Sequence, residues 1–299
     1  MMLHGKGLKS LQGIVSFNVP MRRYTTIRTG GAAAALFQPE SIEALAGCLR
    51  LCKERRVSLL AIGAGSNIIV KDKGIDGLVI KLSSPFFRGV EACGTEIASG
   101  AGASLSKLSY IAERNSLGGL EFLAGIPGTV GGAIIQNAGA QGKSISGIIR
   151  DVKCIDRNGR LRTFKNRQIG FGYRESGLEK FIILGVTFKL RKRERNSIRK
   201  DTSSYIERRL LTQDYISPSA GCIFKNPKAR NLSAGELIER CGLKSKRIGD
   251  ASVSGRHANF IVNRGHAQTK DILYLIALIK KRVRKNFGIS LEEEVKIIG

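Results

Sequence analysis

Two glycine-rich segments of the sequence contain residue types that bind phosphate groups. In the first, Gly63 to Asn67 (GAGSN), glycines let backbone N–H groups approach an anion, and the Ser66 hydroxyl and the Asn67 amide can donate further hydrogen bonds. The segment does not match the Rossmann dinucleotide motif, because Ile68 stands in place of the third glycine and a strand-like run follows. A phosphate-binding loop and a structural turn between strands both remain open for this motif taken alone.

The second segment, Gly119 to Gly142, clusters several glycines around Pro127. Pro127 is placed to begin a helical turn, and such a turn presents unpaired N–H groups and a positive dipole end to a phosphate. Close helix packing through small residues is the alternative interpretation. Two phosphate-binding loops in one basic chain predict a pyrophosphate ligand, for which a flavin or nicotinamide dinucleotide is the natural candidate.

The elements around the first loop alternate between helix and strand. Apolar residues at helical spacing predict a helix from Ser41 to about Arg56, and Ser104 is a candidate N-cap for a second helix. Strands are predicted at 57–62, 68–70 and 78–80. The first glycine loop therefore follows a buried strand directly.

The middle of the chain is predicted to be rich in strands, at 152–156, 161–164 and 181–190. Asn158-Gly159 between the first two of these is a strong hairpin signal. Arg191 to Lys200 (RKRERNSIRK) has dense positive charge without apolar periodicity, which predicts an exposed linker or loop. Further on, Ser233 to Glu236 forms a capping box ahead of a helix, and Asp271 to Phe287 is typical of a longer amphipathic helix.

Length and composition indicate an ordinary globular protein. A chain of 299 residues exceeds what one hydrophobic core usually serves, so two packed units are expected. The 50 Lys and Arg residues against 24 Asp and Glu residues give a formal net charge of +26. Such a surface attracts phosphates, nucleic acids or acidic metabolites.

The cysteines and histidines are scattered along the chain. The 6 cysteines form no CxxC pair, which favours a reducing compartment, and the 3 histidines give no metal-binding pattern, so no metal site is predicted. No run of 18 apolar residues occurs, and the N-terminal residues lack the apolar region of a signal peptide. The sequence therefore predicts a cytoplasmic protein.

Six blocks of sequence, in order along nearly the whole chain, resemble the UDP-N-acetylenolpyruvoylglucosamine reductase family, flavoenzymes of bacterial peptidoglycan precursor synthesis. The blocks are Tyr24 to Gly31 (YTTIRTGG), Gly63 to Val70 (GAGSNIIV), Gly119 to Ala140 (GLEFLAGIPGTVGGAIIQNAGA), Phe171 to Ser176 (FGYRES), Pro218 to Pro227 (PSAGCIFKNP) and Leu291 to Gly299 (LEEEVKIIG). The chain is similar to the shorter form of the enzyme, which lacks an extra substrate-capping loop.

The resemblance implies an α+β protein. It implies a two-subdomain FAD-binding fold of the vanillyl-alcohol oxidase type at 17–195, followed by a smaller α+β substrate-binding domain at 205–299. The implied reaction is the NADPH-dependent reduction of UDP-N-acetylglucosamine enolpyruvate to UDP-N-acetylmuramate, with non-covalent FAD as cofactor. The partners implied are these small molecules, without a membrane or a specific nucleic acid.

The same resemblance implies the site residues. The FAD-binding positions are Arg28, Thr29, Gly30, Gly63, Ala64, Gly65, Ser66, Asn67, Gly128, Thr129, Gly132, Asn137 and Ala138. The substrate-binding positions are Tyr173, Lys225 and Asn226, and the catalytic positions are Arg174, Cys222 and Glu294. His257 and Asn259 are candidates for shaping the substrate domain.

The chemistry implied for the three catalytic positions differs. Arg174 is the cation that grips the substrate carboxylate as charge builds up. Glu294 assists protonation. Cys222 stands where the family more often has a serine as proton donor, and a thiol is a stronger acid, although a weaker hydrogen-bond donor, than an aliphatic hydroxyl. A packing role for Cys222, with water as the acid, is the alternative.

Two competing functions remain open at this point. An FAD-dependent oxidoreductase of the same fold with another substrate is one, although the FGYRES, PSAGCIFKNP and LEEEV blocks favour the reductase. A basic nucleic-acid-binding protein is the other, and the net charge is its whole support. No nucleic-acid-binding motif accompanies that charge.

Overall fold

The computed structural model describes residues 6–227 and 232–299. Its helices are α1 Lys6–Lys9, α2 Ile42–Glu54, α3 Leu105–Arg114, α4 Val130–Ile135, α5 Arg195–Thr212, α6 Ala234–Arg240 and α7 Thr269–Phe287. The strands in the first half are β1 Gly13–Pro20, β2 Ala32–Pro39, β3 Leu59–Ile62, β4 Ile68–Val70, β5 Ile75–Lys81, β6 Val90–Cys93, β7 Glu96–Gly100, β8 Leu117–Gly118, β9 Gly139–Ala140 and β10 Lys143–Ser144. The later strands are β11 Ile149–Ile155, β12 Leu161–Lys165, β13 Ile182–Lys189, β14 Arg191–Lys192, β15 Ser219–Cys222, β16 Arg247–Ile248, β17 Ala251–Val253, β18 Phe260–Asn263 and β19 Lys296–Ile298.

The chain divides into two compact units, each built from several segments. The first unit contains the described residues up to Phe17 together with Ala35–Ala64 and Gly77–Arg208. The second unit contains Asn18–Ala34, Gly65–Asp76 and the described residues of Arg209–Gly299. The domain boundaries at 17–195 and 205–299 stay a prediction.

An antiparallel five-stranded sheet in the order β12-β11-β13-β7-β6 dominates the first unit. The predicted hairpin is confirmed, with Val152 paired to Phe164 and Asp156 accepting the N–H of Gly159 in the turn. Helix α3 begins after Ser104, whose hydroxyl accepts the Lys107 N–H as predicted for an N-cap. Buried side chains of the sheet and of helices α3 and α4 form one hydrophobic core.

Strands β3 and β5 of the first unit run parallel, in a sheet of order β1-β2-β5-β3. The predicted helix at its side is α2, and the Ser41 hydroxyl accepts the Ala44 N–H at 3.1 Å. Leu45 and Leu49 are fully buried on this helix, within a second core that includes side chains of β5. This sheet positions the first glycine loop, which begins where β3 ends.

The segment predicted as a linker at Arg191 to Lys200 is helical from Arg195 onward, so that prediction is wrong. Arg195 and Arg199, one helical turn apart, both reach Glu113 Oε1, at 3.5 and 3.0 Å. Arg193, just ahead of the helix, pairs with the buried Glu121 at 3.0 Å. Ion pairs with acids that are far away in the sequence therefore support this helix. Ion pairs of this kind produce no apolar periodicity in the sequence, so the helix could not be recognised from its own residues.

The second unit contains the sheet β15-β18-β17-β16 and helices α6 and α7. Ile223, Leu237, Ile261, Leu275 and Val283 are fully buried in its core. The predicted capping box is confirmed, since the Ser233 hydroxyl and the Glu236 carboxylate satisfy each other's backbone N–H groups. Strand β19 pairs in parallel with β4, which brings the C-terminal residues next to the segment that follows the first glycine loop.

Among the described residues, no helix is both long enough and apolar enough to cross a membrane.

Candidate functional site

The predicted site residues fall in both units. The first unit carries Gly63, Ala64, Gly128, Thr129, Gly132, Asn137, Ala138, Tyr173 and Arg174. The second unit carries Arg28, Thr29, Gly30, Gly65, Ser66, Asn67, Cys222, Lys225, Asn226 and Glu294.

The two glycine segments meet within the first unit. A Cβ on Gly63 would collide with the Thr129 hydroxyl, so only glycine permits this close approach. Lys81, opposite Ile62 in the parallel pair, donates from Nζ to the Gly63 carbonyl at 2.9 Å. Burial lowers the pKa of Lys81, and the Arg88 guanidinium lowers it further. A half-buried cation therefore lies at the start of the first glycine loop.

The start of helix α4 differs from the prediction. The helix begins at Val130, and the Thr129 hydroxyl is its N-cap, accepting the Gly132 N–H at 3.4 Å, so Pro127 does not begin the helical turn. The N–H groups of Val130 and Gly131 donate to carbonyls of the turn between β7 and α3, at 2.9 and 2.8 Å. Because these two N–H groups are bonded within the protein, they do not donate to a phosphate, and phosphate binding by Gly128, Thr129 and Gly132 stays a prediction.

The end of the second glycine segment is tied to the FGYRES block. The Asn137 amide donates from Nδ2 to the Gly172 carbonyl at 2.8 Å, and its Oδ1 accepts the Ser146 N–H at 3.2 Å. Arg174 donates from Nη1 to the Gly139 carbonyl at 3.2 Å. Two separate blocks of sequence therefore lie together in the first unit.

Arg174 is held in a costly backbone conformation. Its φ is +60°, in the left-handed region that non-glycine residues seldom adopt, and such strain is often found at functional sites. The guanidinium carbon lies 5.6 Å from the centre of the Tyr173 ring, and Tyr173 is 47% exposed. A cation with an accessible aromatic neighbour suits a carboxylate ligand.

Residues of the YTTIRTGG block surround the first glycine loop in the second unit. The Thr26 hydroxyl lies 2.6 Å from the Ser219 carbonyl and 3.3 Å from the Gly65 carbonyl. Gly65 has φ +73°, and a Cβ there would overlap the Tyr24 carbonyl oxygen. The Thr29 hydroxyl is buried and has no hydrogen-bond partner among the described residues.

The strand that carries Cys222 lies beside the segment that carries Glu294. The Glu294 N–H donates to the Ile223 carbonyl at 2.8 Å, directly after Cys222. Asn67 donates from Nδ2 to the Glu294 carbonyl at 3.1 Å, and its own carbonyl accepts the Lys296 N–H at 3.0 Å. Three distant blocks of the sequence therefore converge within the second unit, and Cys222 and Glu294 are both half-buried there.

The three consecutive glutamates have different surroundings. Glu292 is exposed, 3.6 Å from Lys225, and the Lys280 ammonium donates to Glu293 at 2.8 Å. Burial raises the pKa of Glu293, but the Lys280 hydrogen bond and a backbone N–H outweigh burial, so its pKa lies below the usual value. The hydrogen bond from Lys280 to Glu293 therefore anchors the segment that leads to Glu294, whereas the exposed Glu292 pair adds little.

Two asparagines have structural contacts that the sequence did not specify. Asn259, buried on the loop before β18, accepts the Phe224 N–H at 2.9 Å and donates to the Phe224 carbonyl at 2.8 Å. Asn226, predicted to bind substrate, uses its Oδ1 to accept the Ala234 N–H at the start of α6. From the sequence, Asn259 was a candidate only for shaping the substrate domain. Lys81 belongs to none of the six family blocks, and its one signal is its place directly after the apolar run Leu78 to Ile80.

The comparisons with known proteins agree with each other. Residues 33–165 match the family model described as FAD binding domain. Residues 212–298 match the model described as UDP-N-acetylenolpyruvoylglucosamine reductase, C-terminal domain. The chain is 40% identical over 282 residues to UDP-N-acetylenolpyruvoylglucosamine reductase 2 of Symbiobacterium thermophilum, covering 94% of this chain and 91% of that protein. It is 41% identical over 290 residues to the reductase of Alkaliphilus oremlandii, covering 96% and 94%.

A solved structure of a reductase with the same family name is also similar to this chain. The crystal structure of UDP-N-acetylenolpyruvylglucosamine reductase from Thermus caldophilus superposes with a TM-score of 0.81 at 33% identity, covering 97% of this chain and 100% of that one. This similarity, together with the FAD-binding match, confirms the predicted α+β fold class with its FAD-binding domain.

Proposed function

The chain belongs to the UDP-N-acetylenolpyruvoylglucosamine reductase family, and we propose that it reduces UDP-N-acetylglucosamine enolpyruvate to UDP-N-acetylmuramate for peptidoglycan synthesis. It is an FAD-dependent oxidoreductase with NADPH as co-substrate. One observation in the second unit supports this chemistry most. The Glu294 N–H donates to the carbonyl of Ile223, the residue after Cys222, so the segments of the two proposed catalytic residues lie side by side.

The residues present fit FAD. The buried Thr29 hydroxyl has no hydrogen-bond partner among the described residues, so it offers a donor to a ligand phosphate or ring. Gly65 has a positive φ and packs directly on the Tyr24 carbonyl, so the backbone of the first glycine loop is held in a tight turn next to the sequence block that contains Thr29. Bound FAD supplies hydride transfer between NADPH and the substrate. The residues proposed to hold it are Arg28, Thr29, Gly30, Gly63, Ala64, Gly65, Ser66, Asn67, Gly128, Thr129, Gly132, Asn137 and Ala138.

Gly65→Ala is expected to yield protein with little FAD, because the new Cβ would overlap the Tyr24 carbonyl and displace the loop. The measurement is the flavin-to-protein ratio after gel filtration. Gly94→Ala is the matched control, since Gly94 also has a positive φ, +59°, but its Cβ would have open space. Full FAD content in Gly65→Ala would contradict the placement of this loop at the cofactor.

Arg174 is proposed as the cation that stabilises the reacting substrate. Hydride addition to the terminal carbon of the enolpyruvyl group leaves negative charge on the neighbouring carbon and its carboxylate. A guanidinium binds a carboxylate with two parallel hydrogen bonds, and these bonds strengthen as that charge develops. Tyr173, whose ring lies next to the Arg174 guanidinium, is proposed to contact the substrate.

Cys222 is proposed to deliver the proton that completes the reduction. The carbon next to the carboxylate takes this proton, and the resulting thiolate is reprotonated from solvent. Glu294, on the adjacent segment, is proposed to assist that transfer, and a carboxyl beside developing negative charge must be protonated or hydrogen-bonded to do so. Lys225 and Asn226 are proposed to bind the uridine diphosphate.

The remaining expectations extend the same proposal. We infer that the protein acts in the cytoplasm, a reducing compartment in which cysteines outside disulfides, such as Cys222, persist. We also infer that it has no specific nucleic-acid partner. Some of the basic side chains, such as those of Arg193 and Arg199, pair with acids of the protein itself rather than facing a nucleic-acid backbone alone.

Flavin colour tests the proposed function. The purified protein is expected to be yellow, to bleach when NADPH is added without oxygen, and to regain its colour on addition of UDP-N-acetylglucosamine enolpyruvate. Colourless protein with no affinity for FAD would contradict the family assignment of the site. Colour that returns with oxygen but not with the enolpyruvyl substrate would show an FAD-dependent oxidoreductase with another substrate.

A further inference from the structure

An open cavity of about 450 Å³ lies at the β11–β12 hairpin of the first unit. The side chains of Arg157, Arg162, Phe164, Lys180 and Phe181 line it, together with those of the turn residues Asp156 and Asn158. None of these residues belongs to the predicted site. Its size is within the range of small-molecule sites, about 300–1,000 Å³.

The cavity offers aromatic surface. The rings of Phe164 and Phe181 meet edge to face, with centroids 5.2 Å apart and an interplanar angle of 66°. Both side chains are half-buried, so each is anchored in the protein while part of its ring stays accessible. Rings fixed in this way stack with a planar ligand at little cost in conformational entropy.

The cavity is also positively charged. Arg162 and Lys180 are exposed, and no ion pair in the described part of the chain engages either of them, whereas Arg157 uses Nη1 to donate to the Leu59 carbonyl. The one carboxylate in the lining, Asp156, accepts the N–H groups of Arg160 and Asn158 with Oδ1, at 2.9 and 2.8 Å, and these bonds together with the nearby Arg162 charge hold its pKa below the usual value. The lining still carries more positive than negative charge, and Arg162 and Lys180 are exposed to a ligand anion.

We propose that this cavity binds a nucleoside monophosphate, a planar aromatic ring that carries a phosphate. The ring of the ligand stacks on one of the two inclined phenyl rings, Phe164 or Phe181, and contacts the edge of the other, and the phosphate binds Arg162 and Lys180. Two anchored rings and several cations around one cavity of this volume fit one nucleotide better than the extended backbone of a nucleic acid, which requires a groove that continues past the first site.

The cavity is separate from the first glycine loop. Arg157 donates from Nη1 to the carbonyl of Leu59, at the first residue of β3, whereas Gly63 follows the last residue of that strand. Four residues of strand span about 13 Å. Nucleotide binding in the cavity is therefore compatible with bound FAD, and it does not depend on the proposed reaction.

The test is equilibrium dialysis of the FAD-loaded enzyme with AMP, adenosine and ribose 5-phosphate. AMP is expected to bind at least about tenfold more tightly than either part alone. Arg162→Glu/Lys180→Glu should weaken AMP binding by at least about tenfold, roughly the effect of 1.4 kcal/mol. Arg167→Glu/Arg191→Glu, the matched control, makes the same change in charge at exposed residues of the same unit outside the cavity lining, and should leave AMP binding within about twofold of wild type.

Photolabelling locates the site. With 8-azido-AMP on the FAD-loaded enzyme, the label is expected in the peptides that contain Phe164 or Phe181. The milder pair Arg162→Gln/Lys180→Gln should reduce labelling if the double glutamate variant fails to fold. Equal AMP binding by both charge variants, or label confined to peptides of the proposed FAD and substrate residues, would overturn the proposal. Binding of oligonucleotides without binding of AMP would also overturn it, in favour of a nucleic-acid surface.

Discussion

Cys222→Ala is expected to slow reduction of the enolpyruvyl substrate by a factor of about 10² to 10⁴, the usual contribution of a positioned general acid. The proposed role of Cys222 begins only after hydride transfer, when the charged carbon must be protonated. FAD binding and reduction by NADPH should therefore stay nearly unchanged. Single-turnover reoxidation of the reduced enzyme by substrate, without oxygen, is the measurement.

Cys222→Ser is the matched control, because its hydroxyl can donate from the same backbone position in β15. This variant should recover much of the lost rate. It should also resist a small thiol alkylator that inactivates the wild type, and bound substrate should protect the wild type. A single-turnover rate for Cys222→Ala close to that of the wild type would show that water or Glu294 delivers the proton and that Cys222 only packs.

Arg174→Lys is expected to lower turnover of the enolpyruvyl substrate by more than about tenfold, equivalent to about 1.4 kcal/mol of transition-state stabilisation. Lysine keeps the positive charge but lacks the planar fork that binds a carboxylate through two bonds. Both residues carry a Cβ, so the cost of φ +60° at this position is the same in each. The expected loss therefore reports on the guanidinium rather than on the backbone.

Stopped-flow absorbance separates the two half-reactions of Arg174→Lys. Reduction by NADPH should proceed at nearly the wild-type rate, since the proposed partner of Arg174 is the carboxylate of the other substrate. Tyr173→Phe keeps the ring beside the guanidinium and is the companion variant, expected to lose much less. An equal loss of rate in both half-reactions of Arg174→Lys would show that Arg174 has a general structural role instead.

Local patterns predicted the elements that depend on neighbouring residues. The Asn158-Gly159 turn gave the β11–β12 hairpin, and the Ser41, Ser104 and Ser233 caps each hold the predicted helix start. In these cases the stabilising hydrogen bond joins residues three positions apart, so a short window of sequence contains both partners.

Elements supported by distant partners were not predicted. Helix α5 depends on Glu113, which lies 86 residues before Arg199, and its charged sequence resembles a linker. The N–H groups of Val130 and Gly131 donate to carbonyls about 30 residues earlier. The predicted helix start rested on Pro127 alone and was therefore wrong. Both errors come from contacts between segments, which periodicity and turn residues do not encode.

The family blocks predicted the candidate site residues, and the structure adds the hydrogen bonds that hold them in place. Asn67 is an example. The sequence predicted a phosphate donor, but its amide donates to the Glu294 carbonyl, 227 residues away. The first glycine loop and the segment that contains Glu294 are thereby joined within the second unit, a link that no single motif contains.

The most direct test of the proposed function is product formation without oxygen. Purified enzyme is supplied with NADPH and UDP-N-acetylglucosamine enolpyruvate, and the NADPH consumed and the UDP-N-acetylmuramate formed are both measured by liquid chromatography and mass spectrometry. The account predicts equal amounts of the two, with a product heavier than the substrate by two hydrogen atoms. Unchanged enolpyruvyl substrate in this oxygen-free assay, with enzyme whose flavin NADPH does reduce, would contradict it.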